Sequence, residues 1–194
     1  MAEGLSHKER TRARILDEAA GAMRASGADG ISVAALMKRA GLTHGGFYAH
    51  FESRDDLVAH AIDRMFEDSR AMLARHLTDV DPATGLNNLI DYYLSERART
   101  MPEKTCCLPS LAGEARRLPE AARERFNAGV QRFQGRIAES IRALGRNDAD
   151  ALAASMVAEL VGAMALARSI DEDSAQQMLA ASRQRLKERL GIAG

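Results

Sequence analysis

The sequence predicts an all-α protein, in which a small N-terminal unit of three helices is fused to a larger helical bundle, with about nine helices in total. Apolar residues recur every three or four positions along most of the chain, as they do on one face of an α-helix. No run of four or more residues alternates apolar and polar side chains with β-branched enrichment, so strands are not expected. Aromatic residues make up only 4% of the chain, whereas alanine is abundant.

The first helix is predicted from an apolar stripe of Ile15, Ala19 and Met23. The stripe ends at the sequence SGADG, where Gly27 and Gly30 interrupt the helical pattern. A cluster of basic residues precedes this apolar stripe. Such a cluster is either a solvated face of the helix or a surface that contacts DNA phosphates. The cluster consists of His7, Lys8, Arg10, Arg12 and Arg14.

The larger bundle is predicted from longer stripes joined by short links. Ser53 is a candidate N-cap for the first long helix, and Asp56 is placed for a capping box with it. Asp81 followed by Pro82 predicts another helix start. Two stripes define the longest helices: Val58, Ile62, Met65, Phe66, Leu73 and Leu77, and then Phe126, Val130, Phe133, Ile137, Ile141 and Leu144.

The helices lengthen after residue 53, and this change sets the domain boundary. We therefore assign residues 1–53 to the N-terminal unit and residues 54–194 to the bundle. The two parts are expected to share the helix that starts near Arg54.

Charge and composition exclude several classes of protein. The 27 Lys and Arg residues balance 27 Asp and Glu residues, so a chain coated in basic groups for unspecific nucleic-acid binding is disfavoured. The sequence has no stretch of about 20 uncharged apolar residues, so we expect no membrane-spanning helix. The start, MAEGLSHKER, lacks the apolar core of a signal peptide, so we expect a cytoplasmic location. The two adjacent cysteines cannot form a disulfide framework and are expected to be reduced.

Residues 31–51 carry the clearest functional pattern. Ser32 is expected to cap a helix, and Gly41 is expected to end it at a positive φ. Thr43 is expected to cap a second short helix that runs to about His50. Two short helices joined by a glycine-containing turn are the plan of a helix-turn-helix, in which the second helix enters the major groove of DNA.

This pattern resembles the N-terminal DNA-binding domain of the TetR family of bacterial transcriptional regulators. The resemblance covers residues 10–60, and it includes AGL at residues 40–42, GFYAHF at residues 46–51 and SRDDL at residues 53–57. The rest of the chain matches the family only in length and helix count. The resemblance implies a DNA-binding transcriptional regulator and not an enzyme.

The resemblance also implies which residues contact DNA. The residues expected to face bases are His44, Gly45, Tyr48 and Ala49. Those expected to meet phosphate are Ser32, Thr43, Gly46, His50 and Arg54. Hydroxyl groups and helix N-terminal amides suit phosphate oxygens. The second helix contains no Lys or Arg, so we expect specificity to rest on His44, on water and on DNA shape. Alternatively, this stretch is an ordinary helix start; in either case Phe47 and Phe51 are expected in the core.

The last two helices, near residues 148–170 and 171–190, are predicted to form a dimer interface. In the family, these helices of each subunit pair into a four-helix interface, and small side chains allow such close approach. The small residues that share one predicted face are Ala151, Ser155, Ala158, Gly162 and Ala165. A homodimer would place two recognition helices on a pseudo-palindromic operator. The alternative is close packing inside one chain.

A cavity for a small-molecule effector is expected inside the bundle. Methionines and aromatic residues adapt to irregular ligands, although residues of this kind at helical spacing also build ordinary cores. The resemblance implies that an effector tilts the shared helix, so the function expected is a ligand-responsive repressor released by its effector. The candidate lining residues are Met65, Phe66, Tyr92, Tyr93, Met101, Leu111, Phe126, Phe133 and Met156.

Cys106 and Cys107 open the segment CCLPSLAGE, which resembles a Cys-Leu segment in one branch of the family. In some of those proteins the cysteine senses electrophiles or oxidants. A thiol at a helix N-terminus, with Lys104 nearby in the sequence, would favour the thiolate, and we select Cys107 as the reactive thiol. The alternative is that both cysteines are small core residues.

A helical enzyme or an adaptor without a DNA role is the competing class. The sequence contains no HExxH, no phosphate-binding glycine loop and no GxSxG motif. Its histidines do not form ligand spacing with the cysteines, so neither a metal site nor a cofactor is expected. The expected partners are double-stranded operator DNA, a small-molecule effector and a second copy of the chain, and no membrane.

Overall fold

The computed structural model describes residues 6–29 and 32–192, and within these residues it contains nine α-helices, three short 3-10 helices and no strand. The all-α prediction is confirmed. Gly30 and Ile31, which belong to the predicted turn, lie outside the described residues. The α-helices are α1 (His7–Ser26), α2 (Val33–Arg39), α3 (Arg54–Leu77), α4 (Pro82–Tyr93), α5 (Glu96–Thr100), α6 (Leu108–Leu111), α7 (Glu120–Ala143), α8 (Ala149–Ala167) and α9 (Glu172–Leu190). The 3-10 helices are His44–Ala49, Pro102–Lys104 and Ala115–Arg117.

The N-terminal unit, here the described residues up to Ser53, is built on α1. This helix starts with a capping box that the sequence analysis missed: Ser6 Oγ accepts from the Glu9 amide at 3.2 Å, and the Glu9 carboxylate accepts from the Ser6 amide at 2.7 Å. The basic cluster that precedes the apolar stripe lies within the first turns of α1. The largest side chains fully buried in this unit are Ile15, Met23, Met37 and Phe47.

Helix α3 belongs to both parts of the molecule. Ser53 caps it by accepting from the Asp56 amide at 3.0 Å, as predicted. The Asp56 carboxylate accepts from the Glu52 amide at 3.1 Å and not from the Ser53 amide, so the predicted capping box forms only in part. Helix α3 contacts α1 of the N-terminal unit and also α7 of the bundle. A displacement of α3 therefore changes the contacts that it makes with α1.

Arg24 of α1 fastens the N-terminal unit to the bundle. Its side chain is only 5% exposed and donates to the Asp68 carboxylate of α3 at 2.6 Å. The Ser110 hydroxyl of α6 donates to the Arg24 carbonyl oxygen at 2.6 Å. A buried, paired arginine is costly to disturb, because removing one partner leaves an uncompensated charge. This junction joins α1, α3 and the α6 segment into one contiguous structure.

The bundle consists of α3 to α9 around a continuous apolar core. Asp81 caps α4 through the Thr84 amide at 2.9 Å, with Pro82 in the first turn, as predicted. Helix α7 packs closely on α3 because Gly129 has no side chain; a Cβ atom there would overlap the Phe66 ring. The core residues of the later helices that are fully or almost fully buried include Leu86, Leu89, Ile137, Ile141, Leu160, Met164, Leu179 and Leu186.

Helix α8 is the most apolar helix described. By length and composition alone it is the one helix among the described residues that could cross a membrane, and 39% of it is buried within the chain. Its buried side packs on α6, α7 and α9. The predicted small-residue face lies outside this contact: Ala151, Ser155 and Ala158 are exposed, and Leu166 on the same helix is 55% exposed.

Candidate functional site

The turn between the two short helices has the predicted geometry. Ser32 Oγ accepts from the Ala35 amide at 3.4 Å and caps α2. The helix ends at Gly41, whose φ of +67° lies in the left-handed region that glycine adopts without strain. The amide of Leu42 then donates to the Met37 carbonyl oxygen at 2.8 Å, which closes the turn.

The second short helix, called here the recognition helix, is a 3-10 helix over His44–Ala49 and not an α-helix. Thr43 occupies the N-cap position as predicted, but its side chain makes no capping hydrogen bond. The Thr43 carbonyl oxygen instead accepts from the Gly46 amide at 3.1 Å. The 3-10 form is the tighter of the two helices and is used in short pieces. The Thr43 hydroxyl remains exposed at the start of the recognition helix.

Two buried aromatic rings support the recognition helix. Phe47 and Phe51 are 1% and 2% exposed, and their rings stack at 5.6 Å, which confirms that both belong to the core. The guanidinium of Arg12 lies 4.8 Å from the centre of the Phe51 ring, so α1 is fixed to the same pair of rings.

The opposite side of the recognition helix faces solvent. Tyr48 is 69% exposed, and its ring meets the Phe47 ring edge-on at 5.3 Å. His44, Gly45 and Ala49 are exposed as well. The structure thus brings together, on one solvent-facing surface, the four residues expected to contact bases, and it supplies a rigid aromatic support beneath them.

His50 connects this surface to the basic start of α1. Burial, and then the positive groups of Lys8, Arg12 and His7, lower the pKa of His50 below its usual value of 6.5. Its Nδ1 atom is buried and has no hydrogen-bond partner among the described residues. The basic residues of α1 therefore act on the recognition helix at close range, and together they form a positively charged flank beside it.

The other residues expected to meet phosphate are placed less uniformly. Ser32 and Thr43 are exposed at the starts of their helices, and Gly46 is half-buried. Arg54 lies at the start of α3 and donates to the Ala28 carbonyl oxygen at 2.6 Å. Arg54 thus already holds α3 against the end of α1, and its contact with phosphate stays a prediction.

The residues expected to line one effector cavity are divided between separate places. Phe66 and Phe133 line a groove of about 570 Å³ between α3 and α7, and Phe126 packs on Phe66 with the ring centres 5.8 Å apart. Tyr92 and Cys106 line a polar cleft of about 450 Å³ between α1, α3 and the segment after α5. The interior space beside Tyr93 measures only about 10 Å³. The candidates therefore do not surround one large space, and the effector site stays a prediction.

The two cysteines lie in different surroundings. Cys107 is fully buried, and the Cys106 thiol beside it, together with burial, raises its pKa well above the ordinary value. Cys106 is 8% exposed. Burial alone would raise the pKa of its thiol. Hydrogen bonds from the Cys107 thiol, the Tyr93 hydroxyl and other donors outweigh burial and lower this pKa to about 6. The choice of Cys107 as the reactive thiol is therefore disfavoured, and Lys104 is not the cause of the shift. Among the described residues, no group of three or more His, Cys, Asp or Glu side chains could hold a metal ion.

The fold and this surface define a class of protein: a DNA-binding regulator with an N-terminal helix-turn-helix and a C-terminal helical domain. Residues 15–61 match the family model described as bacterial regulatory proteins, tetR family. This match identifies residues 15–61 as a DNA-binding unit of the TetR type. The chain therefore has the fold of a DNA-binding transcriptional regulator and not that of an enzyme.

Solved structures share this fold over almost the whole chain. A TetR-family regulator from Chloroflexus aurantiacus J-10-FL is 26% identical, covering 95% of this chain and 96% of its own, with a TM-score of 0.81. One from Agrobacterium tumefaciens is 22% identical over 94% and 98% of the two chains, with a TM-score of 0.82. The reduced form of NemR from E. coli is 16% identical, covering 92% of this chain and 96% of its own, with a TM-score of 0.82. No curated protein matches the sequence.

Proposed function

We propose that the protein is a cytoplasmic, homodimeric repressor that binds a pseudo-palindromic operator and leaves it when a small-molecule effector binds. The observation that carries this proposal is the recognition helix, which presents an exposed Tyr48 above the buried ring pair Phe47 and Phe51. Exposure of a large aromatic side chain on a rigid support suits a surface that becomes buried against a partner.

Electrostatics supports DNA as that partner. The recognition helix has no Lys or Arg, so its attraction to DNA must come from neighbouring elements. The first turns of α1 supply this charge close to His50. Phosphate contacts then set the register of the protein on DNA, and the exposed side chains of the recognition helix read the groove.

The surface of α8 supports dimerisation. Most of this apolar helix is not buried within a single chain, and its exposed face combines small residues with Leu166. A second copy that packs its own α8 and α9 against this face would remove the apolar surface from water. Two recognition helices about 34–36 Å apart then fit successive turns of the major groove.

The position of α3 supports control by an effector. Its outer face lines the groove shared with α7, and its inner face holds Arg24 of α1 through Asp68. A ligand that prefers one position of α3 therefore changes the orientation of the N-terminal unit. A differential affinity of about 1–3 kcal/mol is enough for such regulation.

The direct test is a shift assay with the DNA upstream of the protein's own gene, followed by footprinting. We expect a protected pseudo-palindrome, and we expect the affinity to fall by about a thousandfold or more between 50 and 200 mM salt if six or more phosphates are contacted. Sedimentation of the free protein measures the dimer. A monomer that ignores every upstream fragment would contradict the proposal.

Thiol sensing is a second candidate function, favoured by the lowered pKa of Cys106 and by its position on the polar cleft of about 450 Å³. The Cys106 thiolate would add to the β-carbon of an α,β-unsaturated carbonyl compound, and the α-carbon would take a proton from water. The thioether formed would enlarge a side chain that touches Ser69 of α3 at 3.8 Å and would thereby disturb α3.

Single cysteine variants separate this candidate from ordinary core packing. Treatment with N-ethylmaleimide should release DNA from the unmodified protein and from Cys107→Ser, but not from Cys106→Ser. Mass spectrometry locates the adduct. Equal release from all three proteins would exclude Cys106 as the required thiol and would leave the repressor proposal untouched.

A further inference from the structure

The groove between α3 and α7, called here the α3–α7 groove, has the size of a small-molecule site. Its volume of about 570 Å³ falls within the range of about 300–1,000 Å³ that is typical of ligand pockets. It extends along residues 63–74 of α3 and residues 129–139 of α7, about 15 Å at the helical rise per residue. An extended molecule of that length fits along it.

The floor of the α3–α7 groove is apolar, because Phe66, Leu73 and Phe133 line it. Two glycines of α7, Gly129 and Gly135, line it as well. Gly129 admits the Phe66 ring, whereas a side chain at Gly135 would meet no atom within 4 Å. Glycine inside a helix costs about 1 kcal/mol relative to alanine. Only at Gly135 does the missing side chain leave the groove open.

Three arginines and three carboxylates line the rim of the α3–α7 groove, and some of them are paired. Asp63 is paired with Arg125 at 2.5 Å, and Glu139 with Arg136 at 3.3 Å, so these charges are already compensated.

The remaining charges on the rim are those of Arg70, Arg132 and Glu67. None of the three has an ionic partner in the part of the chain that the structure describes. The two arginines outnumber the one carboxylate, so a negatively charged ligand complements this rim.

We propose that the α3–α7 groove binds an amphipathic carboxylate, with its apolar body on Phe66, Leu73 and Phe133 and its carboxylate at Arg70 or Arg132. The planar guanidinium fork matches a carboxylate with two parallel hydrogen bonds. The inference rests on the proposed function only for its consequence, namely that this ligand is the effector, because the groove wall is α3. Binding itself is independent of DNA.

Calorimetry with the full chain and three ten-carbon probes tests the charge preference. Decanoate should bind about tenfold or more tightly than 1-decanol, because the charged headgroup adds a charge-assisted hydrogen bond. Decylammonium should bind more weakly still. A preference for decylammonium, or equal binding of all three probes, would overturn the proposal.

Variants locate the site. Gly135→Phe fills the open part of the groove and should abolish decanoate binding. Asn127→Phe, at an exposed position of α7 two turns away and outside the groove lining, should not. Arg70→Gln and Arg132→Gln should each weaken decanoate binding by about three- to tenfold and leave 1-decanol unaffected. Arg123→Gln, also on α7 but outside the groove, is the matched control.

The outcomes distinguish the two proposals. Circular dichroism tests whether each variant is folded. If Gly135→Phe does not fold, the arginine variants still test the groove assignment. Decanoate binding that survives both Gly135→Phe and the arginine changes overturns the groove assignment. Loss of upstream DNA binding with decanoate binding intact contradicts the repressor function alone, and DNA binding without any decanoate binding contradicts the groove alone.

Discussion

The carboxylate of Glu114 accepts a hydrogen bond from the backbone amide of Ala28 at 2.9 Å, and this contact joins the segment after α6 to the end of α1. The chain at Gly27 turns with a φ of +77°, and a Cβ atom there would lie 2.6 Å from the same carboxylate. The end of α1 is therefore shaped around one acidic side chain of the bundle. Together with Arg24 and Asp68, this contact sets the orientation of the N-terminal unit.

We expect Glu114→Ala to destabilise the protein by about 1–3 kcal/mol, because the amide of the buried residue Ala28 loses its hydrogen-bond partner. Urea unfolding measures this change. Glu124→Ala, at an exposed position of α7, is the control and should change stability by less than about 0.5 kcal/mol. Equal behaviour of the two variants would show that the Glu114 contact does not hold the junction.

The two glycines of α7 should respond in opposite directions to alanine. Gly129→Ala forces a methyl group into the Phe66 ring and should cost about 1–3 kcal/mol. Gly135→Ala meets open space and should stabilise the helix by up to about 1 kcal/mol. Thermal unfolding of both variants checks this pair, and stabilisation by both would mean that α3 and α7 do not meet at Gly129.

Tyr48→Ala should abolish binding to the upstream DNA and leave stability within about 0.5 kcal/mol, because the side chain is 69% exposed. Tyr48→Phe keeps the ring on Phe47 and removes only the hydroxyl, so it measures the hydroxyl contact separately. Sedimentation controls for an intact dimer. Full DNA binding by Tyr48→Ala would remove this residue from the interface.

Leu166→Glu should dissociate the dimer, because it places a charge on an apolar face that we expect to be covered by the second copy. Val80→Glu, at another exposed apolar position in the turn before α4, is the matched control. Sedimentation equilibrium at several concentrations gives the dissociation constant. A dimer unchanged by Leu166→Glu would place the interface elsewhere.

The stability of the protein should decrease as the pH falls below about 6.5, in part through His76. Burial, and then Arg75, lower the pKa of His76 from its usual value of 6.5. The unfolded chain therefore takes up a proton at a higher pH than the folded chain does, and the stabilisation present above pH 6.5 is lost on acidification.

His76→Phe keeps a ring opposite Tyr92, which lies 5.1 Å away between ring centres, and removes the titration. Denaturant unfolding of both proteins at a series of pH values from about 8 down to 5 measures the difference. The advantage of the unchanged protein over the variant should shrink as the pH decreases. A difference that is constant with pH would contradict the assignment to His76.

Local rules predicted the helices and their starts well. Ser32, Ser53 and Asp81 accept hydrogen bonds as N-caps, and Gly41 has the positive φ expected of it. These features depend on residues three or four positions apart, so a single sequence contains them. Thr43 also holds its predicted N-cap position, but the recognition helix adopts the tighter 3-10 form, and the Gly46 amide bonds to the Thr43 carbonyl oxygen and not to its hydroxyl.

Features that join distant parts of the chain were beyond the sequence analysis. Glu114 and Ala28 are 86 residues apart, and nothing in either neighbourhood indicates their contact. The effector candidates have in common only their residue type. Packing divides them between the groove of α3 and α7 and the polar cleft beside α1. One signal was present: Gly129 and Gly135 interrupt an otherwise regular helix, and such glycines indicate close approach or open space.

The separation of charge from readout has a consequence for how this regulator diversifies. The side chains proposed to read the DNA groove all lie within the six-residue recognition helix, while the cationic groups are on α1. After gene duplication, substitutions confined to the recognition helix could therefore change the preferred DNA sequence. The electrostatic affinity of the protein for DNA in general would be kept. Conversely, changes confined to the start of α1 would tune residence on DNA and leave the preferred sequence as it was.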